Sequence, residues 1–500
     1  MSNALENIDH IVVLMFENRS FDNVLGWLYD AQNAPPFNQV PAGQTFEGLN
    51  PLPAANVWTY GGQTYSIAPR HGTDMTQPNP DPNEVYEHVY MQMFGSMPSP
   101  IPDPPPDPAT MLGFLADYAT AANVSNPAQT PNIMNCFRPA DVPVISELAY
   151  WYAACDHWYA SVPSQTFTNR SFVHAGTASG YVDNQIGSHV WDVWKNDTAT
   201  IFNLMEQNSP GSWRVYYGSL ALLCNVYDCQ EQVKQYGPDA GSQRRFFPMT
   251  SFYTDLENYQ SDPQKYPFPS YTFIEPSFFS LPFVGPENDE HPQTVDDWDG
   301  PSNVLWGEKL IADVFNALSA TDLWSSTLLL VTFDEHGGTY DHYAPQPTTA
   351  TRPDNVVIAK GQPGYSGFQF DRYGVRVPTV AISPWIPKAT VCNTVFDHTS
   401  IINTICARFL GGAHLLARDQ VANNLASLLT GTSARTDLPQ LQPRKPPSFD
   451  ATKVASAPLN DFQKHLLAAG LHRLTGNGEH HAQTHADLWN LLETLGSKVI

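Results

Sequence analysis

Basic residues are scarce in this 500-residue sequence. Lys and Arg together number 25 against 49 Asp and Glu, which gives a formal net charge of −24. Binding to nucleic acid and broad adhesion to anionic membranes both need positive surface charge, so we expect neither. Charged residues make up only 15% of the chain and hydrophobic residues 42%. This composition excludes a disordered polyelectrolyte and predicts a folded chain with a large core.

Long apolar runs, an export signal and paired cysteines are also missing. Runs such as Ile11–Phe16 are far shorter than the roughly 20 residues that a membrane-spanning helix needs. The N-terminus has neither a basic segment nor a small-residue cleavage site, so we expect a soluble protein that is cytoplasmic or exported by an unusual route. The six cysteines contain no C-x-x-C pair, which disfavours a zinc–thiolate site. Only Cys224 and Cys229 are close enough in sequence for an optional disulfide, and the others are typical of small buried residues.

Three motifs of common hydrolases and nucleotide-binding proteins do not occur. The sequence has no G-x-x-x-x-G-K-[ST], no G-x-S-x-G and no G-x-G-x-x-G that follows a strand. Each motif supplies a backbone cradle or an exposed nucleophile that its class of protein needs. Nucleoside triphosphatases, α/β-hydrolases and dinucleotide-binding proteins are therefore disfavoured.

The sequence does contain the pattern of an α/β fold. The runs Ile11–Phe16 and Thr327–Phe333 are apolar and rich in aliphatic residues, which is typical of strands covered on both faces of a parallel sheet. A third run, Val377–Ser383, is interrupted by a proline. Apolar residues at helical spacing in Leu305–Leu318 precede the second run, so helix and strand follow one another in α/β order.

Each of the two strongest strands ends in a polar pair, Glu17-Asn18 and Asp334-Glu335. Ligands of open α/β sheets bind beyond the carboxyl ends of the strands, so we expect the two pairs to meet at one site. Their oxygen atoms suit a divalent cation. The alternative is that each pair only caps the helix that follows it.

The segment Val162–Phe172 follows a predicted strand at Trp158–Ala160 and precedes a predicted helix. The Thr166 hydroxyl would then lie at a helix N-terminus, where backbone N–H groups and the helix dipole favour phosphate oxygens. Arg170 could donate to the same oxyanion, and Asn169 could hold the loop or touch a phosphate oxygen. The alternative is a capped helix start with a solvent-facing arginine.

Five segments resemble, in order and spacing, a known family: Glu17–Asp22, Thr166–Arg170, Asp334–His342, Gly374–Pro378 and Asp397–Ser400. The sequence resembles the phosphoesterase family of bacterial phospholipases C, plant non-specific phospholipases C and related acid phosphatases, within the alkaline-phosphatase-like superfamily. The resemblance implies an α/β fold, a three-layer αβα sandwich with a mostly parallel central sheet. One departure is Thr168, where the family commonly has proline.

The resemblance also implies the chemistry of the site. It implies one divalent metal ion held by Glu17, Asn18, Asp334, Glu335 and the Thr166 oxygen, with Thr166 as the nucleophile. Oxygen ligands suit calcium, magnesium or manganese, and a nearby histidine could admit zinc. The sequence leaves the identity of the metal open.

Proline-rich stretches indicate the domain organisation. The segment Pro98–Pro108 must run extended, so we expect loop insertions around 30–130 and 180–300 to form a cap over the sheet. A catalytic domain at 1–430 would be followed by a proline-rich linker and a helical appendage at 431–500. Amphipathic helices are predicted in that appendage at Asp461–Leu474 and Ala486–Leu495.

Three of the sixteen histidines are candidates to bind phosphate or to protonate a leaving group. His88 and His291 lie in polar loops that are similar to active-site loops of the family, and His342 closes the Asp334–His342 segment. His398 opens a predicted helix and is equally a structural cap partner. The histidines near residue 480 are more typical of a solvated tail than of a zinc site.

These observations favour a metal-dependent phosphoric-ester hydrolase that acts through a covalent phospho-Thr166 intermediate. The preferred version is a phospholipase C-like enzyme for a phospholipid or small phosphate ester, and the alternative is an acid phosphatase for monoesters. A noncatalytic, metal-stabilised binding module is a further alternative. A sulfatase-like esterase is disfavoured because no Cys or Ser stands in a C/S-x-P-x-R pattern. The oligomeric state stays open.

Overall fold

The structure is a computed structural model that describes residues 4–495 apart from residues 104, 106, 107, 122, 123, 125, 126, 185–197, 219–234, 238, 239, 293–299 and 349–364. Cys224 and Cys229, the pair for which a disulfide is considered, lie outside the described residues. Four cysteines within the described part are free and buried, as predicted: Cys136, Cys155, Cys392 and Cys406. In that part, no helix has both the length and the apolar character that crossing a membrane requires.

Most strands of the described residues belong to one eight-stranded sheet. In chain order the strands are β1 (His10–Phe16), β2 (Asn56–Tyr60), β3 (Gln63–Ile67), β4 (Arg70–His71), β5 (Asn135–Cys136), β6 (Ala153–Cys155), β7 (Trp158–Tyr159), β8 (Trp213–Tyr217), β9 (Phe246–Pro248), β10 (Tyr271–Glu275), β11 (Thr327–Phe333), β12 (Val380–Ile382), β13 (Thr390–Cys392) and β14 (Phe396–Asp397). The order across the large sheet is β13-β6-β12-β11-β1-β10-β8-β9. Every neighbouring pair is parallel except the two pairs that include β12. The predicted mostly parallel sheet is confirmed.

Helices cover both faces of this sheet. In chain order they are α1 (Phe21–Leu25), α2 (Tyr86–Phe94), α3 (Phe114–Tyr118), α4 (Pro143–Trp151), α5 (Thr166–Ala175), α6 (Ile201–Asn208), α7 (Met249–Ser261), α8 (Val304–Ser319), α9 (Thr399–Phe409), α10 (Ala417–Val421), α11 (Ala451–Val454), α12 (Asp461–Thr475) and α13 (His485–Leu495). The helices α4, α7 and α8 pack together, as do α5, α6 and α9. The central strands β10 and β11 are buried at every residue, so helices or loops must lie on both sides of the sheet, as the predicted αβα sandwich requires.

The strand and helix predictions place the sheet correctly and leave its details open. The second predicted strand is β11, and the helix predicted before it is α8, one residue longer at each end. The third predicted strand is the short antiparallel β12. The strand predicted at Trp158–Ala160 is β7, which pairs with β14 outside the large sheet. A single run of residues does not reveal which neighbour it will pair with, so these details needed the structure.

The C-terminal segment packs directly on the rest of the chain. Its two predicted helices are α12 and α13, and they contribute Phe462, Leu466 and Leu488 to a buried cluster. The same cluster contains Phe167 of α5 and Phe278 from the loop after β10. The division into a domain at 1–430 and an appendage at 431–500 stays a prediction, but the appendage contacts the helix that begins at Thr166.

The two polar pairs lie side by side because β1 and β11 are parallel neighbours in register. Phe16 pairs with Phe333 at the carboxyl ends of the strands. The next residues, Glu17 and Asp334, therefore leave the sheet together. The backbone N–H of Asn18 donates to Asp334 Oδ1 at 3.1 Å, which ties the two strand-end loops to each other.

These loops approach backbone to backbone at Gly337. This residue has φ +58°, and a Cβ atom there would lie 2.4 Å from the carbonyl oxygen of Asn18. Asn18 itself has φ +57°, so both loops turn in the left-handed region at the point of contact. Glycine at 337 is required because any side chain would push the two polar pairs apart.

We expect Gly337→Ala to destabilise the protein more than Gly61→Ala. Gly61 has the same φ of +58° but nothing within 4 Å of an added Cβ, so its substitution carries only the backbone strain, about 1 kcal/mol. The clash with Asn18 should add roughly 1–3 kcal/mol at residue 337. Thermal unfolding midpoints measure both, and equal shifts would show that the two loops can separate without cost.

Candidate active site

Thr166 is the first residue of α5, a helix whose ten residues are all buried. Its Oγ1 donates a hydrogen bond to Glu17 Oε2 at 3.1 Å. A hydroxyl at this position lies at the positive end of the helix dipole and faces the end of β1. The structure thus brings the predicted nucleophile to the predicted strand-end pairs.

Arg170 lies one turn further along α5 and neutralises part of the acidic cluster. Its Nη2 is 2.5 Å from Glu17 Oε1, and its Nε is 3.3 Å from Asp334 Oδ2. The pKa of Arg170 is raised: burial lowers it, but the nearby carboxylates, led by Glu17 and Asp334, together raise it by more. The side chain is only 2% exposed, so the alternative of a solvent-facing arginine is wrong. Among the described residues, its buried Nη1 has no hydrogen-bond partner.

Asn169 holds the loop that precedes α5. Its Nδ2 lies within hydrogen-bond distance of the carbonyl oxygens of Val162, Ser164 and Gln165, and its Oδ1 accepts from the Val162 N–H at 3.0 Å. Two roles were considered for this amide, holding the loop and contacting a phosphate oxygen, and these contacts are those of a residue that holds the loop. The amide therefore acts on Thr166 through the shape of the loop.

The side-chain amide of Asn18 is fixed from both sides. Its Nδ2 donates to Glu84 Oε2, and the same nitrogen lies 2.9 Å from His291 Nε2. Glu84 and His291 both contact the amide nitrogen, so the amide oxygen remains for another partner. Asn18 Oδ1 is buried and accepts no hydrogen bond from any residue that the structure describes.

Burial of several carboxyl groups in one place raises their pKa values. Burial is the main cause for Glu17 and Glu335, whose pKa values lie well above the usual range, and neighbouring carboxyl groups add to it. Burial also raises the pKa of Glu84 and of Asp289 to about 7 each. The site therefore carries more acid than Arg170 can neutralise.

The donor atoms of this cluster fit a divalent cation. Asn18 Oδ1 and Glu335 Oε1 are both buried and lack hydrogen-bond partners in the described part of the chain, and an oxygen without a donor is a natural metal ligand. Two groups of the described residues bring three ligand atoms within 4.8 Å of one another, Asp22, Asp341 and His342, and Asp81, Glu84 and His291; neither group includes the two strand-end pairs. Acidic oxygens of this kind suit calcium, magnesium or manganese.

Metal binding and pH should act on stability together. A carboxyl group whose pKa is higher in the folded than in the unfolded state makes its full contribution to stability below the unfolded pKa. That contribution is lost as the pH rises through the folded pKa. For Glu84 and Asp289 the folded pKa is about 7. The chelated protein should therefore unfold at progressively lower temperature between about pH 5 and pH 8.

A divalent cation should reverse this loss, and more strongly at the higher pH because its ligands are then ionised. Thermal midpoints with and without Mg²⁺, Ca²⁺ or Mn²⁺ measure the effect. Sodium chloride at matched ionic strength is the control for charge screening. A shift that is the same at both pH values, or no larger than the shift with salt, would contradict a metal site at these carboxyl groups.

Among the three candidate histidines, His88 has one ring nitrogen held and the other without a hydrogen-bond partner in the residues that the structure describes. Its Nδ1 is 2.7 Å from Asp117 Oδ1, and 24% of its side chain is exposed. Gln92 Nε2 donates to Asp117 Oδ2 at 2.7 Å, and Gln92 Oε1 lies 2.7 Å from His336 Nε2. A chain of side chains thus runs from His88 toward Glu335, the neighbour of His336 in the sequence.

His342 has acids at both ring nitrogens. Nδ1 is 2.6 Å from Asp22 Oδ2 and Nε2 is 3.2 Å from Glu47 Oε1. Burial acts to lower the pKa of His342, but Asp22 raises it by charge and hydrogen bonding to a net value of about 9. His342 is therefore a cation in an ion-pair network, in which Arg376 Nη2 also contacts Asp22 and Asp341.

His291 is buried and neutral. Burial lowers its pKa to about 4. Since Nε2 faces the donating amide of Asn18, the proton belongs on Nδ1, which lies 2.9 Å from the carbonyl oxygen of Pro292.

His398 is the N-cap residue of α9, but its side chain does not cap the helix. Its Nε2 lies 2.5 Å from the Asp334 carbonyl oxygen.

Several residues of the site are absent from the sequence-based prediction. They are Glu84, Gln92, Asp117, His336 and Asp289. Glu84 lies four residues before His88 and Asp289 two before His291, so the acidic loops around the candidate histidines were a usable signal. Asp117 offers no such signal, because its role depends on how α3 packs on α2.

The fold and the site together define a class: an enzyme of α/β fold with a buried threonine hydroxyl, a buried arginine and an acidic cluster at the carboxyl ends of parallel strands. The chain belongs to the Phosphoesterase family, whose model matches residues 8–410. The resemblance stated from the sequence is confirmed. The chain is a phosphoric-ester hydrolase of this family.

Relatives include phospholipases C of plants and bacteria. Non-specific phospholipase C3 of Arabidopsis thaliana is 31% identical over 473 residues, which cover 92% of this chain and 82% of that protein. Non-specific phospholipase C6 of the same plant is 33% identical and covers 95% and 81%. Non-hemolytic phospholipase C of Pseudomonas aeruginosa is 26% identical and covers 81% and 54%. A solved alkaline phosphatase superfamily protein of Vibrio parahaemolyticus aligns over 57% of this chain and 63% of its own, with a TM-score of 0.32 and 14% identity.

Proposed function

We propose that this chain is a metal-dependent, phospholipase C-like hydrolase that acts through a phospho-Thr166 intermediate. The observation that carries the proposal is the hydrogen bond of 3.1 Å from Thr166 Oγ1 to Glu17 Oε2, within the cluster that Arg170 joins to Asp334. The similarity to phospholipases C of plants and bacteria supports a phospholipid substrate. The substrate class therefore rests on similarity, and the nucleophile rests on geometry.

In the proposed reaction, the Thr166 hydroxyl gives its proton to Glu17 as Oγ1 attacks phosphorus, and the bond to the leaving alkoxide breaks as that oxygen takes a proton from His88. Water then gives a proton to His88 and attacks the phospho-Thr166, which releases the phosphorylated head group while Thr166 Oγ1 takes its proton back from Glu17. Glu17 Oε2 accepts the hydrogen bond of the Thr166 hydroxyl and so fixes the direction of its lone pairs. A divalent cation held by Glu17, Asn18, Asp334 and Glu335 would lower the pKa of the hydroxyl and offset the charge of the phosphoryl group.

Arg170 and His88 have the remaining roles. Arg170 Nη1 is buried without a hydrogen-bond partner in the described residues, and a free guanidinium nitrogen suits a phosphoryl oxygen. His88 donates the proton that the leaving alkoxide needs. Its Nδ1 is held by Asp117, which leaves Nε2 as the nitrogen that faces substrate.

We expect Thr166→Ala to abolish turnover while the protein stays folded. Loss of a nucleophile costs on the order of 10⁴-fold or more in kcat. Thr168→Ala is the matched control, since Thr168 is buried on the same helix and, within the described part of the chain, its Oγ1 makes only a 3.4 Å contact with the Tyr181 carbonyl oxygen. Thr166→Ser keeps the attacking oxygen and should retain part of the activity.

The assay measures phosphocholine release from phosphatidylcholine and phosphate release from a monoester. Higher kcat/KM on the diester is expected of a phospholipase C, and the reverse would favour the acid phosphatase alternative. Full activity of Thr166→Ala on both substrates would exclude the phospho-threonine route.

His88→Asn should reduce activity in proportion to how much the leaving group needs a proton. On a phospholipid, which leaves as an alkoxide, we expect a loss of about 10²–10⁴-fold. On a p-nitrophenyl phosphodiester, whose leaving group is stable without a proton, the loss should be small. His71→Asn is the control, because His71 forms a similar pair with Asp141 at 2.6 Å. Equal losses on both substrates would contradict a general-acid role for His88.

A further inference from the structure

His291 is the point at which the C-terminal segment reaches the active site. The ring of Phe462 lies parallel to the imidazole, with 6.0 Å between ring centroids and 9° between planes. Asn460 Nδ2 lies 3.3 Å from His291 Nδ1. The family model ends at residue 410, so both contacts come from a part of the chain that the family match does not include.

The start of α12 is held firmly in this place. Asn460 and Gln463 cap the helix reciprocally, with Asn460 Oδ1 accepting from the Gln463 N–H at 2.7 Å. Gln463 Nε2 donates to the Phe278 carbonyl oxygen at 2.8 Å and to Glu287 Oε2 at 2.5 Å. The edge of Phe462 meets Phe278 at 5.4 Å. The first turn of α12 is therefore anchored on the loop that follows β10.

That loop also carries His291, and the orientation of its ring matters for Asn18. Asn18 Nδ2 lies 2.9 Å from His291 Nε2, and the opposite side of the ring lies 2.9 Å from the Pro292 carbonyl oxygen through Nδ1. A rotation of the imidazole plane would break both contacts at once. Asn18 Nδ2 would then keep only its contact with Glu84, and the position of Oδ1 would be less well defined.

We propose that Phe462 is a positioning residue of the active site: its ring holds the plane of His291, and His291 in turn holds the Asn18 amide with Oδ1 available to a cation. The C-terminal segment thereby completes a site whose reacting groups all lie before residue 400. This inference rests on the proposed function for its activity readout, but not for its binding or spectroscopic readouts.

The test uses the 500-residue chain, three variants on α12 and a fourth variant for signal assignment. Phe462→Leu keeps an apolar side chain of similar size and removes the flat ring, whereas Phe462→Tyr keeps the ring. Leu466→Ala is the control, because Leu466 is fully buried on the same helix and in the same apolar cluster. The measurements are kcat, KM, Mn²⁺ affinity by calorimetry, and the imidazole signals of protein labelled with ¹⁵N-histidine, with His291 assigned through His291→Gln.

Phe462→Leu should lower kcat and Mn²⁺ affinity by about 10-fold or more, the size of effect seen when a group behind a metal ligand is removed. KM should change little, because the phosphoryl contacts remain. Phe462→Tyr should keep kcat and Mn²⁺ affinity close to the wild-type values. Leu466→Ala should lower the thermal midpoint but leave kcat and Mn²⁺ affinity within about twofold at temperatures where it is folded, since it removes packing alone.

Two outcomes would overturn the inference. One is unchanged Mn²⁺ affinity in Phe462→Leu, and the other is an equal loss in Leu466→Ala, which would mean that α12 acts through stability only. If the wild-type protein hydrolyses no phosphate ester, the proposed function fails, and Mn²⁺ affinity still decides the positioning role. If it binds no Mn²⁺ either, the His291 signals decide: one Nδ1–H tautomer in the wild type and a mixture in Phe462→Leu support it, and identical signals refute it.

Discussion

Arg170 is buried between Glu17 and Asp334, and the arrangement of the site follows from that ion pair. Taking a carboxylate out of water costs several kcal/mol, and a pair repays this only when its geometry and its other hydrogen bonds are good. Arg170 meets the condition by also approaching the carbonyl oxygens at the end of β1. Because Arg170 and Thr166 lie one turn apart on α5, the ion pair that holds Arg170 also sets the position of the Thr166 hydroxyl.

The same ion pair leaves the cluster short of positive charge. Glu335 and Glu84 are buried beside it with raised pKa values, so a proton or a cation must accompany them at neutral pH. The same surplus of acid would give the site affinity for a doubly charged ion, since binding would remove the repulsion between the carboxylates. The low content of basic residues is consistent with a site whose positive charge would come from a metal ion.

The sequence predicts the centre of the site better than its surroundings. Glu17 and Asp334 follow long apolar runs, and parallel strands in register bring the residues after such runs together. Thr166 and Arg170 share one helix, so their spacing is local information. Glu84 and Asp117 lie in the excursion between β1 and β6, where no periodicity reveals how the chain returns to the sheet. The contact between Phe462 and His291 joins segments 171 residues apart, and a helical pattern shows which face of α12 is apolar but not what that face meets.

The ring nitrogens of His88, His291 and His342 have different contacts. These contacts determine which of the three histidines can exchange a proton with a substrate. His342 faces an acid on both sides and stays charged, while His291 faces a donor and an acceptor and stays neutral. Neither has a nitrogen left with which to exchange a proton. His88 has one, because Asp117 holds only Nδ1.

Phosphoryl transfer places the attacking and leaving oxygens on opposite sides of phosphorus, so the proton donor must come from a different element than the nucleophile. In the proposed reaction α2 supplies the proton donor and α5 the nucleophile, and the contacts through Gln92 and His336 connect α2 to Glu335 in the acidic cluster.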